Sequence, residues 1–220
     1  MTKPLERKII VVGDMHCGQE DGLTPPHWQQ GGERGLKQRN AYNWYKREIK
    51  KVGHVDAVFC MGDMIDGKGE ASGGIELITA NSFEQCEMAI TALREIDVDE
   101  SDPKDPCIHL VEGTAYHSGK KDHLEKVIAT EMGAEFGRRL FPLYGGVQFD
   151  MRHKIGSSSV PWGRHTSPAK EYHMALEWHY KQDGAYPKPD VVLRGHVHYH
   201  DFAGGLTNSA AWASMTCPAM

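Results

Sequence analysis

The sequence predicts an α/β fold built on parallel strands, and three observations carry that reading. Short apolar runs recur at Ile9–Val12, Asp56–Met61 and Cys107–Val111, and unbroken runs of this kind suit strands covered on both faces. Helical patterns separate these runs, which favours parallel pairing with right-handed crossovers. Each run stops in a polar turn carrying Asp or His. Parallel strands deliver such turns to one sheet edge, where open α/β sheets hold ligands.

The first run ends in Gly13-Asp14-Met15-His16. Asp14 and His16 are two apart, so on extended backbone they face one way. Cys17 to Gly35 is rich in Gly, Pro and Gln and lacks periodicity, which makes it a long loop. Trp28 fits a pin for that loop better than a cover for substrate. Leu36 to Val52 reads as a helix, with Ala41, Trp44, Tyr45, Ile49 and Val52 as its apolar stripe and Arg39, Lys46, Arg47, Lys50 and Lys51 as a basic face. The second run ends in Gly62-Asp63-Met64-Ile65-Asp66-Gly67, whose carboxylates can converge on one cation or orient each other. A helix is expected from about Ile75 to Ile96, burying Phe83, Ala89, Ile90, Leu93 and Ile96.

The third run contains His109, which reads as a core histidine, and leads through Glu112 to His117 and Gly119. A helix from Lys120 to about Phe136 follows, with Leu124, Val127, Ile128 and Met132 buried. Val147, Phe149, Met151 and His153 then alternate with polar residues, the mark of a half-buried strand. His153 ends the apolar face, an unusual place for a histidine unless something holds it. Arg152 to Lys170 reads as a mobile basic loop, and a helix runs from about Ser167 to Gln182. Val191-Val192-Leu193 leads into Arg194-Gly195-His196-Val197-His198, again two side chains facing one way. Phe202–Gly205 and Ala211–Thr216 read as short strands. No repeat or linker interrupts the chain, so residues 1–220 are expected to form one domain.

Of the 220 residues, 40% are hydrophobic and 25% charged, as in soluble globular proteins. A net charge of −5 disfavours a generally cationic nucleic-acid binder and leaves room for a local basic groove. Five cysteines without a C-x-x-C spacing indicate neither a disulfide framework nor a zinc ribbon. The apolar run after the charged N-terminus is too short for a signal peptide, and no stretch approaches a membrane span. The expectation is a cytoplasmic protein with no membrane partner.

Asp14-Met15-His16, Gly62-Asp63-Met64-Ile65-Asp66 and Gly195-His196-Val197-His198 resemble the D-x-H, G-D-x-x-D and G-H-x-H signatures of the calcineurin-like metallophosphoesterases. They stand in the family's order and span nearly the whole chain. The compact size and histidine-rich middle are most similar to the phage- and prophage-type members. The resemblance implies a mixed two-sheet β-sandwich flanked by helices, in four αββα layers, with two metal ions at one edge. It implies that Asp14, His16 and His198 bind one ion, that His153 and His196 bind the other, and that Asp63 bridges both. Asp66 matches an acidic position that orients a turn or a ligand. One motif departs from the pattern, because the family's Gly-Asn-His-(Asp/Glu) is here Gly113-Thr114-Ala115-Tyr116-His117. His117 is assigned to the catalytic position, and Thr114 offers only a hydroxyl in place of the amide, so the second metal site is expected to be the weaker.

The implied activity is hydrolysis of a phosphoester by metal-activated water attacking phosphorus in line, with phosphodiesters favoured over monoesters. Arg152, Arg164 and His165 are the expected substrate contacts. Mixed carboxylate and imidazole donors suit Mn, Fe or Zn better than Ca without choosing among them; two divalent ions are expected, Mn first, with Fe or Zn as alternatives. The alternatives are a nuclease acting on a DNA or RNA backbone and, in another class, a catalytically weak binding module that retains the fold.

Overall fold

A computed structural model describes residues 6–70, 73–102, 104–117, 123–207 and 210–216. β1 (Ile9–Val12), α1 (Gly32–Val52), β2 (Ala57–Cys60), α2 (Ser82–Leu93), β3 (Ile108–Val111), α3 (Glu125–Glu131) and β4 (Glu135–Gly137) come first along the chain. Their strands form a parallel sheet in the order β1-β2-β3-β4. The second half comprises β5 (Leu143–Tyr144), β6 (Val147–Arg152), α4 (Thr166–Lys181), β7 (Val191–Arg194), β8 (Asp201–Thr207) and β9 (Ala210–Thr216). These strands form a mixed sheet in the order β5-β6-β7-β9-β8, parallel at β6-β7-β9 and antiparallel at both edges.

Strand alternation builds the layers. Ile9 and Val11 of β1, Ala57 and Phe59 of β2, Val111 of β3, Phe149 and Met151 of β6, and Val191 and Leu193 of β7 pack together between the sheets. Phe59 anchors this layer, with its ring centroid 5.0 Å from that of Phe149 and 5.7 Å from that of Tyr144. The alternate residues Val12, Val58, Cys60, Ile108 and Leu110 face the helices α1 to α3. Val192 packs under Tyr172 and Ala175 of α4. The result is a mixed two-sheet sandwich covered by helices on both outer faces, the fold class the sequence predicts.

Several boundaries differ from the sequence expectation. α2 starts at Ser82, not near Ile75, because Asn81 caps it by accepting the Phe83 N–H. Phe83 is 64% exposed, not part of the buried stripe. On α1 the buried side is Gln38, Tyr42, Tyr45 and Ile49, whereas Ala41 and Trp44 face outward. The Tyr45 hydroxyl donates to the Ala92 carbonyl, so tyrosines do work assigned to Trp44. The expected helix to Phe136 stops at Glu131, and Glu135–Gly137 pairs with β3 as an edge strand. Its expected start at Lys120 lies outside the described residues. Val127, expected to be buried, is 39% exposed. Part of the expected mobile loop is ordered as a short 3-10 turn at Pro161–Gly163. Trp28 packs against the helix-side core and pins its loop. His109 is a satisfied core histidine, with Nδ1 2.7 Å from Glu135 and Nε2 3.3 Å from the Tyr144 hydroxyl.

Candidate metal centre

The turns after β1, β2, β3, β6 and β7 meet at one edge of the sandwich. Backbone bonds lock them together: Asp14 N–H donates to the Gly62 carbonyl, His16 N–H to that of Asp63, and Gly195 N–H to that of His153. Glycine is required where the turns touch. A Cβ on Gly113 would overlap Asp63 Oδ1, and one on Gly62, whose φ is +83°, would lie 2.8 Å from the Gly113 backbone. Asp14, His16, Asp63, His196 and His198 all have φ between +45° and +73°. Non-glycine residues seldom adopt this left-handed region, and where they do the surrounding structure has to hold them. The strain therefore sits on the very side chains that the sequence motifs single out.

Those side chains form overlapping groups whose ligand atoms lie within 4.8 Å of one another: Asp14, His16 and His198; His16, Asp63 and His117; and Asp63, His153 and His196. Asp63 thus belongs to two groups. The imidazoles are held by the nitrogen that faces away from the cluster. Asp66 Oδ1 lies 3.1 Å from His16 Nδ1, the Asp66 carbonyl lies 2.8 Å from His117 Nδ1, and the Met61 carbonyl lies 2.6 Å from His153 Nδ1. Each such bond fixes the tautomer and leaves Nε2 free to act as a ligand. His16 Nε2 and His198 Nε2 then face each other at 3.2 Å, with Asp14 Oδ1 3.4 Å from His198 Nε2. The backbone N–H of His196 donates to both Asp14 oxygens.

His153 tests whether this donor set fits a cation. It is buried, and its Nε2 has no hydrogen-bond partner among the described residues, although Asp63 Oδ2 lies 2.9 Å away. With Nδ1–H given to Met61, a neutral ring turns a lone pair toward a buried carboxylate. Such an arrangement demands positive charge, from a proton or a metal ion. The residues fit a metal: carboxylate and imidazole donors, converging, with orienting partners behind them.

The ionisable groups respond accordingly. Burial raises the pKa of Asp14, and the charge of Asp63 adds to this. Asp63 is pulled down to about 2 despite burial, by the His153 and His117 rings and the Thr114 N–H. Asp66 is likewise held at about 2, because His117 and His16 outweigh its burial. Burial opposes charge on His117 and His153, but the neighbouring carboxylates win and raise both. Burial and then the His153 charge lower His196.

Thr114 lies against Asp63: its N–H donates to Asp63 Oδ1 at 2.6 Å, and its hydroxyl lies 3.1–3.2 Å from both Asp63 oxygens. Arg152 gives Nη2 to Glu171 and lines a pocket beside His153. Arg164 stacks on Tyr199, 4.5 Å from the ring centroid. His165 is exposed at the start of α4, outside the cluster. Sequence reasoning missed Glu125. Fully buried in the first turn of α3, it accepts the Met64 N–H on Oε1 at 2.9 Å and the Gly113 N–H on Oε2 at 2.6 Å. One carboxylate thereby clamps the turns carrying Asp63 and Thr114, and burial pushes its pKa up to about 7. The available signal was a glutamate beside the apolar residues Leu124 and Ile128, at a position the helix pattern buries.

No protein-family model matches this chain, and no curated protein does. Among solved structures it is similar to an archaeal phosphodiesterase, at 14% identity over 96% of this chain and 84% of the other, with a TM-score of 0.46. It is also similar to zinc-complexed Vps29 from Entamoeba histolytica, at 13% identity over 96% and 73% of the chains, with a TM-score of 0.42. A conserved Streptococcus pneumoniae protein described as a predicted phosphoesterase aligns at 14% identity over 97% and 72%, with a TM-score of 0.37. The chemistry argued for the present chain rests on its own side chains.

Proposed function

We propose that the protein is a dinuclear metal-dependent phosphoesterase of the calcineurin-like type, with phosphodiesters as favoured substrates. The observation that carries the proposal is Asp63, shared between two ligand groups and faced by the partnerless Nε2 of buried His153. In this reading Asp14, His16 and His198 would hold one ion and His153 and His196 the other, with Asp63 offering its carboxylate to the site. Mn is the first candidate, with Fe or Zn as alternatives. Bound ions of this kind supply an acidified water and positive charge for the phosphoryl oxygens.

The protein's own groups do the rest. Thr114 orients Asp63, and Asp66 orients His16 and His117. His117 holds its Nδ1–H on the Asp66 carbonyl, and its Nε2 lies 4.0 Å from Asp63 Oδ2. When protonated, Nε2–H donates to the leaving oxygen as general acid. Hydrolysis of nitrophenyl mono- and diesters, cyclic nucleotides and single- and double-stranded DNA with added Mn tests the proposal. Turnover that Asp63→Asn abolishes is expected. Turnover unaffected by chelation or by that substitution contradicts it.

A nuclease would need free cations along a nucleic-acid backbone. On the basic face of α1, Lys46 pairs with Glu95, and Arg47 and Lys51 pair with Glu48. These pairs leave less free positive charge for a nucleic-acid backbone.

A further inference from the structure

The two sides of the cleft differ in charge. On the side of Asp14, His16 and His198 the wall continues into Gln19, Asp21 and Gly22, with Asp66 and His117 beside them and no Lys or Arg among the described lining residues. On the side of His153 a second pocket, of about 330 Å³, is lined by Glu112, Thr114, Arg138, Arg152, His153 and Lys154 among others. Glu112 is already engaged by Arg138, at 3.0 Å, and by His123, at 2.6 Å. Lys154 is exposed, lines this pocket beside His153 and makes no ion pair among the described residues. An exposed, unpaired ammonium thus stands beside the Asp63, His153 and His196 group, with two guanidinium groups in the same wall.

Resting on the phosphoesterase reading, we propose that this pocket is a second phosphate subsite, so that the substrate is a phosphodiester carrying a further phosphate one ester unit from the scissile one. Thr114 and His153 join the pocket to the metal centre, since both contact Asp63 and both line it. A phosphoryl group bound at the centre therefore has its flank directed to Lys154 and Arg138 on one side and, on the other, to a wall without Lys or Arg among the described residues. The pocket stands at the small end of ligand cavities, about 300–1,000 Å³. It suits one anionic group with its ester, not a duplex. Charge-assisted bonds from Lys and Arg are the chemistry that recognises phosphate.

The test uses the Mn-loaded full chain and compares kcat/KM for the dinucleotide TpT with that for pTpT and TpTp, which add a 5′- or 3′-terminal phosphate. One phosphorylated form is expected to exceed TpT by about tenfold, the size of one charged hydrogen bond. Lys154→Glu should erase that ratio, and Lys154→Ala and Arg138→Ala should shrink it. The remote Lys46→Ala should keep it. Equal rates for all three dinucleotides, or a preference that survives Lys154→Glu, overturns the subsite while leaving the phosphoesterase standing. Absence of turnover on any ester overturns the phosphoesterase reading instead. Calorimetry with thymidine 3′,5′-bisphosphate then reads what the pocket adds to binding at the centre: affinity about tenfold tighter than for either monophosphate supports it, and equal affinities overturn it.

Discussion

Glu125 shows how much of the centre is backbone placement. Its two oxygens hold the turns bearing Asp63 and Thr114 from behind, without touching any candidate ligand atom. Glu125→Gln keeps its size but loses one acceptor, so one buried amide is left without a partner. A loss of about 1–3 kcal/mol in urea unfolding is expected, together with Mn affinity about 10–100-fold weaker by calorimetry, as for groups that orient metal ligands. Unchanged Mn affinity in a folded variant contradicts the clamp. The same residue carries a pH signature. A group whose pKa rises on folding contributes fully below its unfolded pKa, and that contribution is lost as pH climbs through the folded one. Glu125 rises from 4.5 to about 7, and His117 and His153 rise above 6.5. His196 and His109, both lowered, act in the opposite sense as pH rises toward 6.5, so the signature is a difference: between pH 4.5 and 7 the metal-free protein should lose melting temperature relative to Glu125→Gln. Parallel melting profiles for the two proteins across this window contradict the assignment.

At the scale of elements, the second sheet is fastened to α4 by buried charge. Arg194 reaches Glu171 at 2.9 Å and Asp150 at 3.3 Å, and Arg139 gives its Nε to Asp150 at 2.8 Å. Removing one member of such a set strands the others, so Asp150→Ala should cost about 3–5 kcal/mol in chemical unfolding. A cost below about 1 kcal/mol would show that water compensates. The elements also mark where sequence reasoning works. β1, β2, β3 and β7 were legible because a strand covered on both faces must be apolar throughout; Asp14, His16, Asp63, His196 and His198 were legible because they follow such runs, and His153 because it ends the apolar face of an alternating strand. α1 was legible as a helix and in part of its buried face, Tyr45 and Ile49, but Tyr42 was missed and Trp44 misplaced, because a tyrosine reads as less apolar than a tryptophan. β4 was hidden because Glu135-Phe136-Gly137 is too short for a period to show, and only pairing with β3 makes it a strand. Glu125 was hidden because its partners are backbone amides, which no side-chain pattern records.

In the molecule as a whole, the candidate centre is a seam. Asp14, His16 and Asp63 belong to turns of the parallel sheet, and His153, His196 and His198 to turns of the mixed one. A cation held there links the halves of the sandwich and binds the native state alone, so Mn should raise the melting temperature in proportion to the logarithm of its concentration. The rise should grow with pH, because imidazoles must lose their protons to bind metal. The most direct measurement is anomalous diffraction from crystals grown with Mn, with metal content determined on the same protein. Two ions per chain are predicted, both touching Asp63, one shared with His16 and His198 and the other with His153 and His196. A solitary ion, or His153 and His196 turned away from Asp63 with nothing between them, would contradict the account.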